Sequence, residues 1–162
     1  MSVFDLHKLW SHLRRENMIQ GLGDAGFSLT FAAIGSALGT GVAGMAAVGA
    51  WKRAFMQNKA APFILIAFVG APLSQTIYGM ILRNAIMAAN ISSDGSLQVM
   101  LMGLGAGLAI GASAWMQGKA GASAADALAE TGKGFGNYIM VVGVIETVAL
   151  FVMVFMLTAL AK

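Results

Sequence analysis

The chain has 162 residues and a formal net charge of +3; 58% of its residues are hydrophobic and only 10% are charged. A soluble domain of this length needs many more polar residues to cover its surface, so the composition predicts an integral membrane protein. Because cysteine is absent, disulfides, thiolate metal sites and thiol nucleophiles are excluded. The basic residues lie in connections and chain ends, which favours contact with lipid headgroups and gives no patch for a nucleic acid.

Residues 1–20 are an N-terminal extension that mixes Phe4, Leu6, Trp10 and Leu13 with basic residues. No apolar stretch follows these charges before residue 25, so the segment does not have the pattern of a signal peptide. We interpret it as an amphipathic helix at the membrane surface, with Trp10 at headgroup level. A disordered tail is the alternative.

Four long apolar runs follow this extension. They are Ala25–Ala50, Ala61–Leu82, Leu97–Ala122 and Tyr138–Ala161. Each run is long enough to cross a hydrocarbon core of about 30 Å at about 1.5 Å per residue. The sequence therefore predicts an all-α membrane protein with four transmembrane helices, arranged as two tandem hairpins over residues 21–88 and 97–162.

The charges of the connections predict the orientation. The first and third connections, with the adjoining Lys119, hold five basic residues, whereas the middle connection holds Arg83 alone. Because basic residues remain on the cytoplasmic side, we place the first and third connections in the cytoplasm. The three basic residues of the N-terminal segment, and Lys162, argue for the opposite orientation.

The two hairpins resemble each other, which indicates an internal repeat. The matching segments are Ile34–Ala37 with Ile110–Ser113, Gly41–Gly44 with Gly118–Gly121, and Gln75 with Glu146. The first and third runs carry glycines at a spacing that allows close helix packing in lipid, and the second and fourth carry larger side chains. This division suits a ring in which the first and third helices form the narrow inner circle.

Glu146 is the one carboxylate in the fourth apolar run. A charge at the centre of a spanning helix costs several kcal/mol, so such a residue usually faces a protein interior or an ion path. An acid that reaches the headgroups from a helix end is the alternative. The position of Glu146 argues against it, because about eight residues of the run precede it and about fifteen follow.

A polar face on the second run accompanies this acid. Ala71, Ser74, Gln75 and Tyr78 are spaced at i, i+3, i+4 and i+7 and share one side of a helix. Pro72 lacks an N–H, so the helix should bend there and leave a carbonyl free. Oxygen atoms from amides, hydroxyls and carbonyls, with one carboxylate, are what a monovalent cation requires. Taken singly, Ser74 could bond to its own helix and Tyr78 could anchor the interface.

These motifs resemble a known family. The motif Pro-x-Ser-Gln-x-x-Tyr-Gly from Pro72, Gln-Gly-Lys from Gln117 and the lone Glu146 together resemble the rotor-ring subunit of V-type ATPases, the proteolipid known in bacteria as the K or c subunit. The resemblance covers about residues 22–162. It implies a non-catalytic subunit of a homo-oligomeric ring, turning against a stator subunit (a or I) and joined to a central-stalk subunit, in the bacterial plasma membrane. It implies no cofactor, and a carried ion that is Na⁺ rather than H⁺.

The same resemblance implies roles for individual residues. Those expected at the ion are Glu146 as the carboxylate, Gln75, Ser74 and Gln117 as side-chain ligands, Ala71 through its backbone carbonyl, and Tyr78 as a hydrogen-bond donor to Glu146. This is the set of the sodium-type members, and proton-type members generally lack the glutamine and hydroxyl ligands. The chain departs from the family in its long N-terminus, in Ser74 where threonine is also used, and in Ala71 where a larger apolar residue occurs.

Two other classes fit part of the pattern. A secondary transporter of the small multidrug-resistance type also has four helices and one essential membrane glutamate, but it is shorter and carries the acid in its first helix. A purely structural membrane protein would not need Glu146 opposite Gln75. Rings of high mass in detergent would favour the rotor, and dimers would favour the transporter.

Overall fold

A computed structural model describes residues 5–11, 23–89 and 95–161. Its main elements are four helices long and apolar enough to cross a membrane: α1 (Phe27–Met56), α2 (Phe63–Ala88), α3 (Ser96–Thr131) and α4 (Phe135–Leu160). The described residues contain no strand. The predicted all-α class with four spanning helices is therefore confirmed.

α3 is longer than the sequence analysis predicted. Residues 123–131, interpreted there as part of the third connection, continue the helix to Thr131. This segment is rich in alanine and contains no glycine or proline, so its residues favour helix even outside an apolar run. The helix ends at Gly132, whose φ of 67° places it in the left-handed region that favours glycine. The third connection is therefore short, and the acidic residues before it are helical.

α1 and α3 pack along each other in parallel, with their backbones in contact. A Cβ added at Gly107 would lie 2.5 Å from the carbonyl oxygen of Phe27, and one added at Gly35 would overlap the backbone of Gly111. Further along, Gly39 lies directly against Gly118. Glycine at these positions allows two helices to approach more closely than side chains would permit. The small residues that the sequence placed on an inner layer thus join the two hairpins within one chain.

α2 departs from a regular α-helix at the position where the sequence predicted a bend. It begins with a tighter 3₁₀ turn at Phe63–Leu65 and is interrupted by a second one at Ala71–Leu73, which contains Pro72. The proline ring cannot supply the N–H that a regular helix needs at this point. α4, by contrast, is a continuous helix over its 26 residues.

The burial of the helices differs in a way that indicates layers. α3 is the most buried of the four, and α4 is the least buried. α4 exposes large apolar side chains over much of its length, including Val144, Val148, Phe151 and Phe155. In a membrane such a face contacts lipid or another protein. α1 and α3 therefore form the inner pair of the chain, and α4 lies outside them.

The N-terminal extension is described over residues 5–11, which are helical and exposed. Leu6, Leu9 and Trp10 are among its exposed apolar side chains. The remainder of the predicted amphipathic segment, residues 1–4 and 12–20, lies outside the described residues. Its contact with the membrane surface stays a prediction.

Candidate ion-binding site

Glu146 lies in the middle of α4 and faces α2 and α3. Its Oε1 accepts a hydrogen bond of 2.7 Å from the Tyr78 hydroxyl, and its Oε2 accepts one of 3.3 Å from Nε2 of Gln117. Both donors are neutral, and the described part of the chain forms no ion pair with Glu146. Within the described residues the carboxylate is therefore held by hydrogen bonds from neutral groups alone.

Two buried glutamines connect α2, α3 and α4 beside this carboxylate. Nε2 of Gln75 donates a bond of 2.7 Å to Oε1 of Gln117, and Nε2 of Gln117 also donates one of 3.0 Å to the carbonyl oxygen of Val142. Both side chains are 0% exposed. Buried amides are costly unless they are hydrogen-bonded, so these contacts fix how the three helices meet.

Ser74 extends the same network to the 3₁₀ turn of α2. Its hydroxyl lies 3.2 Å from Oε1 of Gln75 and 3.1 Å from the carbonyl oxygen of Ala71, and both atoms are placed to accept from it. The hydrogen bonds therefore form one path. It runs through Ala71, Ser74, Gln75, Gln117 and Glu146. All six residues that the sequence analysis named belong to this one network, which the structure brings together from three helices.

Apolar packing beside Glu146 sets the direction in which its side chain points. Ala149 lies one turn beyond Glu146 and is buried against Ala32, Ile110 and Met153, with Tyr78 at the edge of this cluster. Because Ala149 and Glu146 share one side of α4, burial of the first turns the second towards α2 and α3. Glu146 itself remains half-buried.

The sequence analysis missed Ser113. Its hydroxyl donates a hydrogen bond of 2.8 Å to the carbonyl oxygen of Ile145, the residue before Glu146. The signal that could have found it is spacing, because Ser113 precedes Gln117 by four residues and so lies on the same side of α3.

Asp24 was also not singled out, and it lies apart from this network. It is fully buried, and it accepts hydrogen bonds from the backbone N–H groups of Gly26 at 3.0 Å and Ser28 at 2.8 Å. These are donors at the start of α1 that have no partner within the helix. Asp24 therefore stabilises the first turn of α1.

Residues 100–159 match the family model of the ATP synthase C subunit. The match supports the c-subunit family. Proteins of this family are non-catalytic, ring-forming subunits of rotary ATPases, and the match supports a rotor-ring, ion-translocating role for this chain. No curated protein matches the chain.

The matched region contains α4 and most of α3, and hence Ser113, Gln117 and Glu146. Gln75 and Tyr78 lie outside it, on α2. The c-subunit family is known for an oligomeric ring that works with the a subunit and the stalk of the ATPase. It therefore favours the rotor over the transporter and the structural protein weighed in the sequence analysis.

Proposed function

We propose that the chain is the rotor-ring subunit of a V-type rotary ATPase that carries Na⁺ across the membrane at Glu146. The observation that carries this proposal is the network of hydrogen bonds that joins Glu146 to Gln117, Gln75, Ser74 and Tyr78. As the ring turns, the carboxylate takes an ion on one side of the stator and releases it on the other.

The composition of the network favours sodium over a proton. A proton needs the carboxylate and a dry pocket, whereas sodium needs about five or six oxygen ligands to replace its lost hydration in a low-dielectric site. Glu146, Gln75, Ser74, Gln117 and the carbonyl of Ala71 together offer that many oxygens. A proton rotor does not need two buried amides and a hydroxyl as ligands beside its acid.

Binding an ion changes the role of Gln117. Its amide presents Nε2 to Glu146 and Oε1 to Gln75. A half-turn of the amide would present Oε1 to an ion beside the carboxylate and would give up the bond from Nε2 to the carbonyl oxygen of Val142. The same kind of turn at Gln75 would preserve the bond between the two glutamines. Tyr78 would keep its bond to Glu146 and hold the carboxylate in place.

The proposed partners follow from the family. The copies form a homo-oligomeric ring in the bacterial plasma membrane, which turns against the stator subunit (a or I) and is driven through the central stalk. We place the α1–α2 and α3–α4 connections in the cytoplasm, facing that stalk. At this end, Arg53 forms ion pairs with Asp126 and Glu130, which join the two hairpins next to the proposed contact.

Carbodiimide labelling of Glu146 in the purified ring tests the ion. The reagent attacks the protonated acid, and bound sodium holds the acid ionised. We expect millimolar sodium to slow labelling, and the protection to weaken as the pH falls and protons compete for the carboxylate. Mass spectrometry of the protein measures the labelled fraction. Labelling that ignores sodium from about pH 6 to about pH 9 would make this a proton rotor, with glutamines that serve only to pack helices.

Gln75→Leu and Gln117→Leu sharpen this test. Each variant removes one proposed sodium ligand but leaves the acid, so sodium protection should weaken while labelling without sodium continues. Thr147→Val is the matched control, because Thr147 is next to Glu146 but exposed, and its hydroxyl bonds to the carbonyl of Val144 in its own helix. Equal protection in all three variants would exclude the glutamines as ligands.

A further inference from the structure

Two side chains of α3 donate hydrogen bonds to backbone carbonyls of α4 in the turn that precedes Glu146. The hydroxyl of Ser113 bonds to the carbonyl oxygen of Ile145 at 2.8 Å, and Nε2 of Gln117 bonds to that of Val142 at 3.0 Å. A carbonyl inside a helix already accepts one bond from the N–H four residues later, so each side chain uses the second lone pair. α4 is therefore held through its main chain as well as through side-chain packing.

The two bonds are arranged as successive rungs between antiparallel helices. Ser113 and Gln117 are one turn apart on α3, and their acceptors Ile145 and Val142 are nearly one turn apart on α4 in the opposite order. Glu146 directly follows the first acceptor and lies one turn after the second. Two rungs at this spacing fix both the rotation of α4 about its axis and its position along α3.

Ser113 differs in this respect from other hydroxyls on the same two helices. Four others donate to carbonyls of their own helix: Ser123 to Lys119, Thr131 to Ala127, Thr147 to Val144 and Thr158 to Phe155. Those four are exposed, whereas Ser113 is only 6% exposed. A buried hydroxyl that reaches across to another helix is an interhelical contact, and its loss leaves a specific gap between α3 and α4.

We infer that Ser113 is a positioning residue for Glu146: its bond to the Ile145 carbonyl sets the rotation of α4 at which the carboxylate meets both Tyr78 and Gln117. The inference rests on the proposed function in taking Glu146 as the ion-carrying residue. Several ligands must be held to about 0.5 Å for a site to keep its geometry. Sodium binding, which needs several oxygens at once, should therefore depend on Ser113 more strongly than folding or ring assembly does.

Ser113→Ala tests the inference, with Ser123→Ala as the matched control on the same helix. In the assembled ring, the sodium concentration that halves carbodiimide labelling of Glu146 should rise about three- to tenfold in Ser113→Ala, the size expected for one interhelical hydrogen bond. Labelling without sodium should also become faster, because the bonds from Tyr78 and Gln117 to the carboxylate weaken. Ser123→Ala should match the wild type in both measurements.

Ser113→Cys provides a second variant if alanine prevents assembly, since a thiol fills the space of the hydroxyl but donates weakly. It should change both measurements in the same direction as alanine. If the assembled Ser113 variants equal the wild type in sodium dependence and in sodium-free labelling, the positioning role is wrong. If the wild type itself is not protected by sodium, the sodium proposal fails instead, and the rate of sodium-free labelling alone decides the role of Ser113.

Discussion

The two hairpins have buried polar side chains at corresponding positions of their first helices and use them differently. The alignment of Gly41–Gly44 with Gly118–Gly121 pairs Ser36 with Ser113 and Thr40 with Gln117, in a register one residue from that of Ile34–Ala37 with Ile110–Ser113. In the second hairpin both side chains bond to α4. In the first hairpin the hydroxyl oxygens of Ser36 and Thr40 are buried without a hydrogen-bond partner in the described part of the chain.

The second helices of the hairpins differ in a complementary way. α4 carries the acid and is regular throughout, whereas α2 carries the amide at the matching position and is broken at Ala71–Leu73. A regular helix held at two backbone points keeps a carboxylate in a fixed place. A broken helix frees carbonyl oxygens next to Ser74 and Gln75. The comparison indicates that one hairpin holds the charge and the other supplies oxygens around it.

Glu146→Gln should have the largest effect, because it removes the main difference between the hairpins. The second hairpin loses its charge, and both hairpins then carry an amide at this position. We expect ATP-driven ion transport to fall to background, since a neutral amide cannot alternate between binding and releasing an ion. Stability should hold or rise, because a charge in the membrane is lost and none is left unpaired. Ion uptake into vesicles and the yield of rings on a gel measure the two effects. Transport at the wild-type rate would refute the assignment of Glu146.

Gly107→Leu should have the next largest effect. It changes the close packing of α3 on α1, which joins the two hairpins. Its side chain would meet the backbone of Phe27 and Ser28, with the Cβ alone 2.5 Å from a carbonyl oxygen. Overpacking of this kind typically costs about 1–3 kcal/mol, so the yield of assembled ring should fall about tenfold or more. Gly39→Leu should behave in the same way, because its Cβ would overlap the backbone of Ala114.

Gly105→Leu is the control for this prediction, because a Cβ at Gly105 has no neighbour within 4 Å in the described chain. The sequence analysis placed the glycines of α1 and α3 on the inner circle of a ring, and Gly107 and Gly39 contact backbone within one chain. A folded monomer that fails to form rings in Gly105→Leu would identify a contact between copies. A wild-type yield of ring in both Gly105→Leu and Gly107→Leu would contradict the close packing of α1 on α3.

Ser36→Ala should have the smallest effect. Unlike Ser113→Ala, it should not weaken the protection of Glu146 by sodium. The hydroxyl of Ser36 is buried and has no partner within the described residues, so removing it loses no hydrogen bond and relieves an unfavourable desolvation. The thermal midpoint of the ring in detergent should stay the same or rise slightly, and sodium protection of Glu146 should not change. A clear loss of stability would show that Ser36 makes a bond on which the first hairpin depends.

Sequence by itself determined the four spanning helices, the irregular turn at Pro72 and the small-residue character of α1 and α3, and it singled out Glu146. These features are local: apolar content, a missing N–H, glycine spacing and an isolated charge can each be read within one helix. Spacing also placed Ser74, Gln75 and Tyr78 on one face of α2. Gln117 could be noted from the sequence as a further amide near the end of the third run, but only the family resemblance assigned it to the ion, because nothing within its own helix indicates what it faces.

The tertiary structure decided which helices contact each other and which residues along them lie side by side. The bond from Gln75 to Gln117 spans 42 positions in the sequence, and that from Tyr78 to Glu146 spans 68. Such contacts depend on how closely α1 approaches α3 and on the rotation of α4, which are set by packing over the whole length of the helices. For the same reason spacing places Ser113 on the same side of α3 as Gln117 but does not identify its partner: its role depends on a backbone carbonyl of α4, and every residue offers a backbone carbonyl.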